Sequence, residues 1–133
     1  MTLVDTNVLL DLVVGDERFA PWSLLQLKIA FLAGPLAIND VVYAELSVRY
    51  ESVGELDAML AVLNVQMEPI SRAGLFLAAR AFGRYRAQGG TRTGVLPDFF
   101  IGAHATVQGC DLLTRDAARY RHYFPTLRLI LPS

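Results

Sequence analysis

The amino-acid sequence predicts an α/β fold, a small parallel β-sheet flanked by helices in an α/β/α sandwich. Three observations lead there. Short apolar runs of strand length alternate with helical segments, the pattern of a parallel sheet covered on both faces. The 133 residues carry no linker, internal repeat or low-complexity stretch, so positions 1–133 form one domain. Helices are many for the strand count, so the sheet is small.

Each element can be read in order. "TLVD" is too short for a helix and ends in an acid, so it is a strand. "TNVLLDLVV" has helical spacing, with Thr6 or Asn7 as cap and Gly15 as stop. "RFAPWSLLQLKIAFLAG" is a second helix, with Pro21 in its first turn and Gly34 at its end. "PLAIN" is a strand, after which Asn39 or Asp40 caps "DVVYAELSVRYES". "GELDAMLAVLNV" is a helix, and "QMEPI" a short strand or extended connector. Ser71 caps the long helix "RAGLFLAARAFGRYRAQ", and "GGTRTG" is a glycine-rich loop. "PDFFIGAHATVQG" is helical, "CDLLT" a strand, "DAARYRHYF" a helix and "LRLIL" the last strand.

Composition bounds the function. Apolar residues make up 53% and charged residues 19%, against averages of roughly 45–50% and about 25%. That surplus fits a buried oligomer or partner interface as readily as a well-filled core. The single cysteine, Cys110, excludes an internal disulfide and suits a reducing cytosol as a small buried filler. Lys28, Gly34 and Pro35 break the longest apolar run, so no membrane span is expected and the protein reads as cytoplasmic. A net charge of −1 does not announce nucleic-acid binding in bulk. The cations are arginines except for Lys28, and Arg80, Arg84, Arg86 and Arg92 cluster in "RAFGRYRAQGGTR". Arginine forks suit phosphate, although a solvated helix face accounts for the cluster equally well.

Four acids stand where acids are costly. Asp5 ends the first strand, between two apolar runs and with no basic residue nearby. Asp116 leaves the end of a later strand in "LLTRD". In a parallel sheet the functional cleft lies beyond the carboxyl ends of the strands. Glu45 falls in the stripe Val41, Glu45, Val48 of its helix and interrupts an apolar face. Its alternative is a surface pair with Arg49. Asp98 heads a face made by Ile101, Gly102 and Ala105, in a first turn where the helix dipole favours an anion. Inward-facing carboxylates repel one another without a counter-charge. A hard divalent cation supplies one, and an oxygen-only set suits Mg²⁺ or Mn²⁺. Asp11, Asp16, Glu17, Glu51, Glu55 and Asp57 fall on helix surfaces or ends. His104 and His122 read as structural, and "GGTRTG" lacks the lysine of a phosphate-binding loop.

The ordered set "LVDTNVLLDL", Glu45, "LPDFFIGAHA" and "LLTRDAARYRHYFP" resembles the PIN-domain family across essentially the whole chain. At this length it is similar to the VapC toxins of bacterial toxin–antitoxin pairs. The resemblance implies a PIN-like fold and an endoribonuclease dependent on one or two Mg²⁺ or Mn²⁺ ions. It maps the catalytic and metal-binding acids onto Asp5, Glu45, Asp98 and Asp116. The residues that support them fall on Thr6, Asn7 and Thr114, of which Asn7 and Thr114 are the better placed to orient ligands. Arg84, Arg86 and Arg92 would guide the RNA backbone. A cognate antitoxin and a homodimer are implied as partners, with Trp22, Leu25, Phe31, Met59 and Leu63 as groove residues for an amphipathic antitoxin helix. Two rival readings are a non-catalytic PIN-like RNA-binding module and an aspartyl-phosphate or receiver-type domain. The latter needs a late lysine, whereas Lys28 is early and mid-helix.

Overall fold

The structure, a computed structural model, describes residues 1–132. Twelve elements follow one another: β1 (Thr2–Val4), α1 (Thr6–Val14), α2 (Ala20–Ala33), β2 (Leu36–Ile38), α3 (Asp40–Ser47), α4 (Val53–Val62), β3 (Val65–Met67), α5 (Arg72–Ala87), α6 (Leu96–Gln108), β4 (Asp111–Leu113), α7 (Ala118–Tyr123) and β5 (Leu129–Ile130). The five strands form one sheet in the order β3-β2-β1-β4-β5, and every pairing is parallel. From β1 the chain builds outward to β2 and β3, then returns to place β4 on the other side. The order therefore reverses between β1 and β4, and a crevice opens beyond their carboxyl ends.

Each strand has two or three residues, so backbone pairing alone holds little, and burial must carry the sheet. Leu3, Val4, Leu36, Ala37, Ile38, Leu112 and Leu113 are all buried. Side chains facing both ways are covered, which explains why these strands are continuously apolar.

Helix starts follow local capping chemistry. Asn39, Ser52 and Ser71 cap α3, α4 and α5 by accepting backbone N–H groups of Val42, Glu55 and Gly74. For α1 the cap is Asp5 itself, which accepts the Thr6 N–H, rather than Thr6 or Asn7. The helix therefore starts one residue earlier than the first cap expected from sequence would place it. Gly15 closes α1 in the left-handed conformation at φ 67°. Helix α3 is shorter than its apolar stretch predicts, ending at Ser47. Its buried face is Val42 and Leu46, while Val48 is 85% exposed, so the stripe Val41, Glu45, Val48 is not the core face. The two stripes lie one residue apart, and periodicity could not choose between them.

Buried His104 on α6 ties this layer to α3. Asn39 Oδ1 accepts the Val42 N–H, so its amide nitrogen donates to His104 Nδ1 at 3.1 Å. The ring is therefore neutral, with its proton on Nε2, and burial pushes its pKa down.

Helix α5 packs along α6, and an aromatic cluster joins them to α7. Phe99, fully buried, lies 5.4 Å from the Phe82 ring, 5.5 Å from Tyr85 and 5.1 Å from Tyr123. Aromatic pairs at such spacings add about 0.5–1.5 kcal/mol each beyond burial. Gly102 lets α7 approach α6: a methyl there would stand 2.5 Å from the Phe124 ring and 3.0 Å from Tyr120. Gly102→Ala is expected to lower stability by about 1–3 kcal/mol through overpacking. Urea unfolding reads this directly, and an unchanged midpoint would mean α7 yields without cost.

Candidate active site

The crevice beyond β1 and β4 is built around Asp5. The Asp5 N–H donates to Leu113 O at 2.9 Å, fastening the end of β1 to β4. Its side chain is buried and takes donors from three segments. Oδ1 accepts the Thr6 N–H at 2.7 Å. Oδ2 accepts Thr114 Oγ1 at 2.7 Å and Tyr120 OH at 2.8 Å, with the Asn7 amide at 3.5 Å. Oδ2 is thus saturated, and Oδ1 keeps a lone pair for something else. Burial pushes the Asp5 pKa up, opposed by the Thr114 and Tyr120 hydrogen bonds.

Thr114 is the hub. Its one proton goes to Asp5, so its oxygen accepts from the Asp116 N–H at 3.1 Å and from Asn7 Nδ2 at 3.4 Å. Asn7 Oδ1 in turn accepts the Arg115 N–H at 3.2 Å. Thr6, Asn7 and Thr114, picked out from sequence as supporting residues, all contact the acids or one another.

Glu45 joins from α3, accepting Thr6 Oγ1 at 2.6 Å. It is solvent-exposed rather than part of a buried face, and it forms no ion pair with Arg49. Asp116 is also exposed. Asp98, in the first turn of α6, is partly buried and heads the buried residues Ile101, Gly102 and Ala105, as its spacing implied. Its pKa is pushed up to about 6, by burial first and then by Asp5, with Asp116 adding to the effect and Arg119 opposing it. Asp98 thus feels the charges of Asp5 and Asp116, and Asp5 that of Glu45, so acids from four segments are neighbours around Asp5.

Arg119 on α7 is ion-paired with Asp98. Among the described residues no three His, Cys, Asp or Glu side chains are already gathered as metal ligands. Arg84, Arg86 and Arg92 are all exposed; Arg84 reaches Tyr123 O and Arg86 lies over the Phe82 ring.

Sequence reasoning missed two participants and one buried acid behind them. Tyr120 and Arg119 follow one another in "AARYR": Tyr120 is buried and reaches Asp5, and Arg119 reaches Asp98. Asp11, expected on a helix surface, is 2% exposed and ion-paired with Arg115. Its signal was the heptad-like spacing of Val8, Asp11 and Leu12 on α1, the same kind of interruption that singled out Glu45.

A parallel α/β domain with an acidic crevice at its switch point is a defined class. The family model named PIN domain matches residues 2–125, and the chain belongs to that family. No match was found among curated proteins. Solved structures similar to the chain include VapBC2 from Rickettsia felis bound to a promoter DNA fragment, at 16% identity, TM-score 0.74 and coverage of 99% of this chain and 98% of that one. VapBC-1 from nontypeable Haemophilus influenzae is similar at 15% identity and TM-score 0.70, covering 97% of this chain and 96% of that one. DNA-bound VapBC from Salmonella typhimurium is similar at 14% identity and TM-score 0.68, covering 98% and 96%. These likenesses establish the fold.

The raised Asp98 pKa has a consequence for stability. The folded protein holds that proton up to about pH 6, while the unfolded chain releases it near the ordinary carboxylate value of 3.8. Ionising Asp98 therefore costs folding free energy, and metal-free stability should fall as pH rises between those values. Asp98→Asn should flatten that segment of the curve in thermal melts taken with chelator. Parallel curves for the two proteins would show that Arg119 neutralises Asp98 fully.

Proposed function

We propose that this chain is a metal-dependent endoribonuclease that acts in the cytoplasm as the VapC-type toxin of a toxin–antitoxin pair. The observation that carries this reading is Asp5: a buried carboxylate whose Oδ2 is saturated by Thr114 and Tyr120 while Oδ1 retains capacity, in one crevice with Glu45, Asp98 and Asp116.

The donor set fits Mg²⁺ or Mn²⁺. It is all oxygen, and Asp98, its pKa pushed up by burial first and by Asp5 and Asp116 after that, is an acid that a cation would relieve. Asp5, Asp98, Asp116 and Glu45 would hold one or two such ions. When bound, the ion supplies Lewis acidity toward a phosphodiester and lowers the pKa of a water. The chain's own residues do the rest. Thr114 and Tyr120 fix the plane of the Asp5 carboxylate. Thr6 holds Glu45 on the far side of the crevice. Asn7 fixes the segment that carries Asp116. Arg119, as the cation already on Asp98, must give up that pair for the carboxylate to act as a ligand. Its guanidinium then becomes available to a backbone phosphate.

The alternative of a non-catalytic RNA-binding module keeps the crevice but predicts no cleavage. The receiver-type reading finds no lysine at the crevice, since Lys28 is exposed and lines the groove between α2 and α4. That groove supports an antitoxin partner. Leu24, Phe31, Val62 and Leu63 line it with Lys28, and Leu25, Ile29 and Leu32 lie exposed on the same helix. One similar structure is named as a toxin–antitoxin complex from Klebsiella pneumoniae. Of the groove residues expected from sequence, Phe31 and Leu63 line it, whereas Trp22 and Met59 pack onto the core. A homodimer belongs to the same reading.

Three outcomes are expected. Purified protein should cleave RNA with Mg²⁺ or Mn²⁺ and stop with chelator, and Asp5→Asn or Asp98→Asn should lose about 100-fold or more, beyond the range typical of residues that merely support ligands. Binding of RNA without cleavage would leave the non-catalytic module. Arg119→Ala should tighten Mn²⁺ binding severalfold in calorimetry, because a competing cation is removed; weaker binding would show that Arg119 instead helps shape the site. Phe31→Glu with Val62→Glu should weaken antitoxin binding while free-toxin cleavage persists, and unchanged affinity would move that interface elsewhere.

A further inference from the structure

One buried charge is not used by the crevice. Asp11 lies on α1, 2% exposed, and Arg115 Nε stands 2.8 Å from its Oδ2. Ser23 Oγ, buried on α2, donates to the same oxygen at 2.7 Å. The Arg115 guanidinium covers the Phe19 ring at 4.1 Å, and Arg18 lies against that ring at 4.8 Å. Phe19 is set in place by Asp16, whose Oδ1 accepts the N–H groups of Arg18 and Phe19 at 2.9 Å each. Three segments therefore converge on one arginine: α1, the start of α2 and the turn between them.

That arginine sits between Thr114 and Asp116. Its own N–H donates to Asn7 Oδ1, and its two neighbours are the Asp5 partner and a candidate ligand. The Arg115 side chain points away from the crevice while its backbone lies within it. We propose that Asp11 and Arg115 are positioning residues: the pair on the buried Asp11 carboxylate, with Ser23 and Phe19, clamps the segment after β4 so that Asp116 and Thr114 stand in register with Asp5. The proposal rests on the reading of the crevice as a metal site. It does not require a charge on Asp11 for chemistry, and neither side chain touches a reacting atom. A guanidinium is suited to the task because one planar group can pair with a carboxylate and cover an aromatic ring together.

A buried pair stabilises weakly compared with an apolar replacement of similar size, while loss of one partner strands a charge. This separates positioning from stability. Asp11→Asn alone should lower the melting temperature. The double variant Asp11→Leu, Arg115→Met strands no charge and should recover most of it. If the clamp positions Asp116, the recovered double variant still shows two defects. Hydrogen exchange at the Arg115 and Asp116 amides should speed up by about tenfold or more without metal. Calorimetric Mn²⁺ affinity should weaken by about 10–100-fold, the range for residues that orient ligands, and RNA cleavage should lose kcat with KM little changed. Exchange and affinity both matching the parent would overturn the proposal, as would faster exchange with unchanged Mn²⁺ affinity. If the parent itself bound no Mn²⁺, the metal-site reading would fail, while the exchange rates would still decide whether the pair clamps the segment.

Discussion

A carboxylate buried at the end of a three-residue strand is the constraint around which this molecule is organised. Asp5 cannot be ionised in an apolar crevice without donors, and the fold supplies them from α1, from the end of β4 and from α7. Each donor fixes a different part of the chain. The Thr6 N–H sets the start of α1. Thr114 holds β4 beside β1, and Tyr120 sets the depth at which α7 docks. Gly102 then becomes necessary, because α7 can reach Asp5 only if α6 presents no side chain at their closest approach. The hydrogen bonds around one acid thus link sheet register, helix capping and helix packing.

Charge balance in the crevice follows from the same arrangement. Two arginines leave β4 four residues apart, and they serve opposite ends. Arg115 turns toward α1 and lies against Phe19, pairing with an Asp11 carboxylate that is 2% exposed. Arg119 turns toward α6 and pairs with Asp98 at the crevice mouth, where both partners remain partly exposed. The two guanidiniums are similarly exposed, but a pair on a buried carboxylate is costly to break and suits a fixed frame, whereas a pair on a partly exposed one can exchange partners. The molecule places the durable pair behind the acids and the exchangeable one among them.

Much of this was legible in the sequence. Alternation of apolar runs with helices fixed the architecture, because strands buried on both faces cannot alternate in polarity. Asp5 and Asp98 stood out because each falls where a charge meets core residues, and they are indeed the more buried of the four acids. Glu45 was reached by a stripe that the fold does not bury: the true face, Val42 and Leu46, is shifted by one position, and the side chain enters the crevice through Thr6. Asp11 was passed over because a single acid on an amphipathic helix usually faces water. Its partner lies 104 residues away, and no local pattern reports such a pairing. Tyr120 was hidden for the same reason, since a tyrosine in an apolar stretch reads as core until the acid it reaches is placed beside it.

The distribution of order in the fold has a physical logic. Parallel strands this short leave their carboxyl ends poorly held by backbone pairing. The residues that follow β1 and β4 are short polar side chains, Thr6, Asn7 and Thr114, which close the ladder with hydrogen bonds where the strands stop. The same groups that finish the sheet also aim the carboxylates. A site assembled this way gains rigidity from the fold but carries a cost, since burial and the neighbouring acids both push the Asp98 pKa up. Weakly paired strands can carry that strain only because the polar network at their ends is anchored on both sides, by Tyr120 through α7 and by Arg115 through α1.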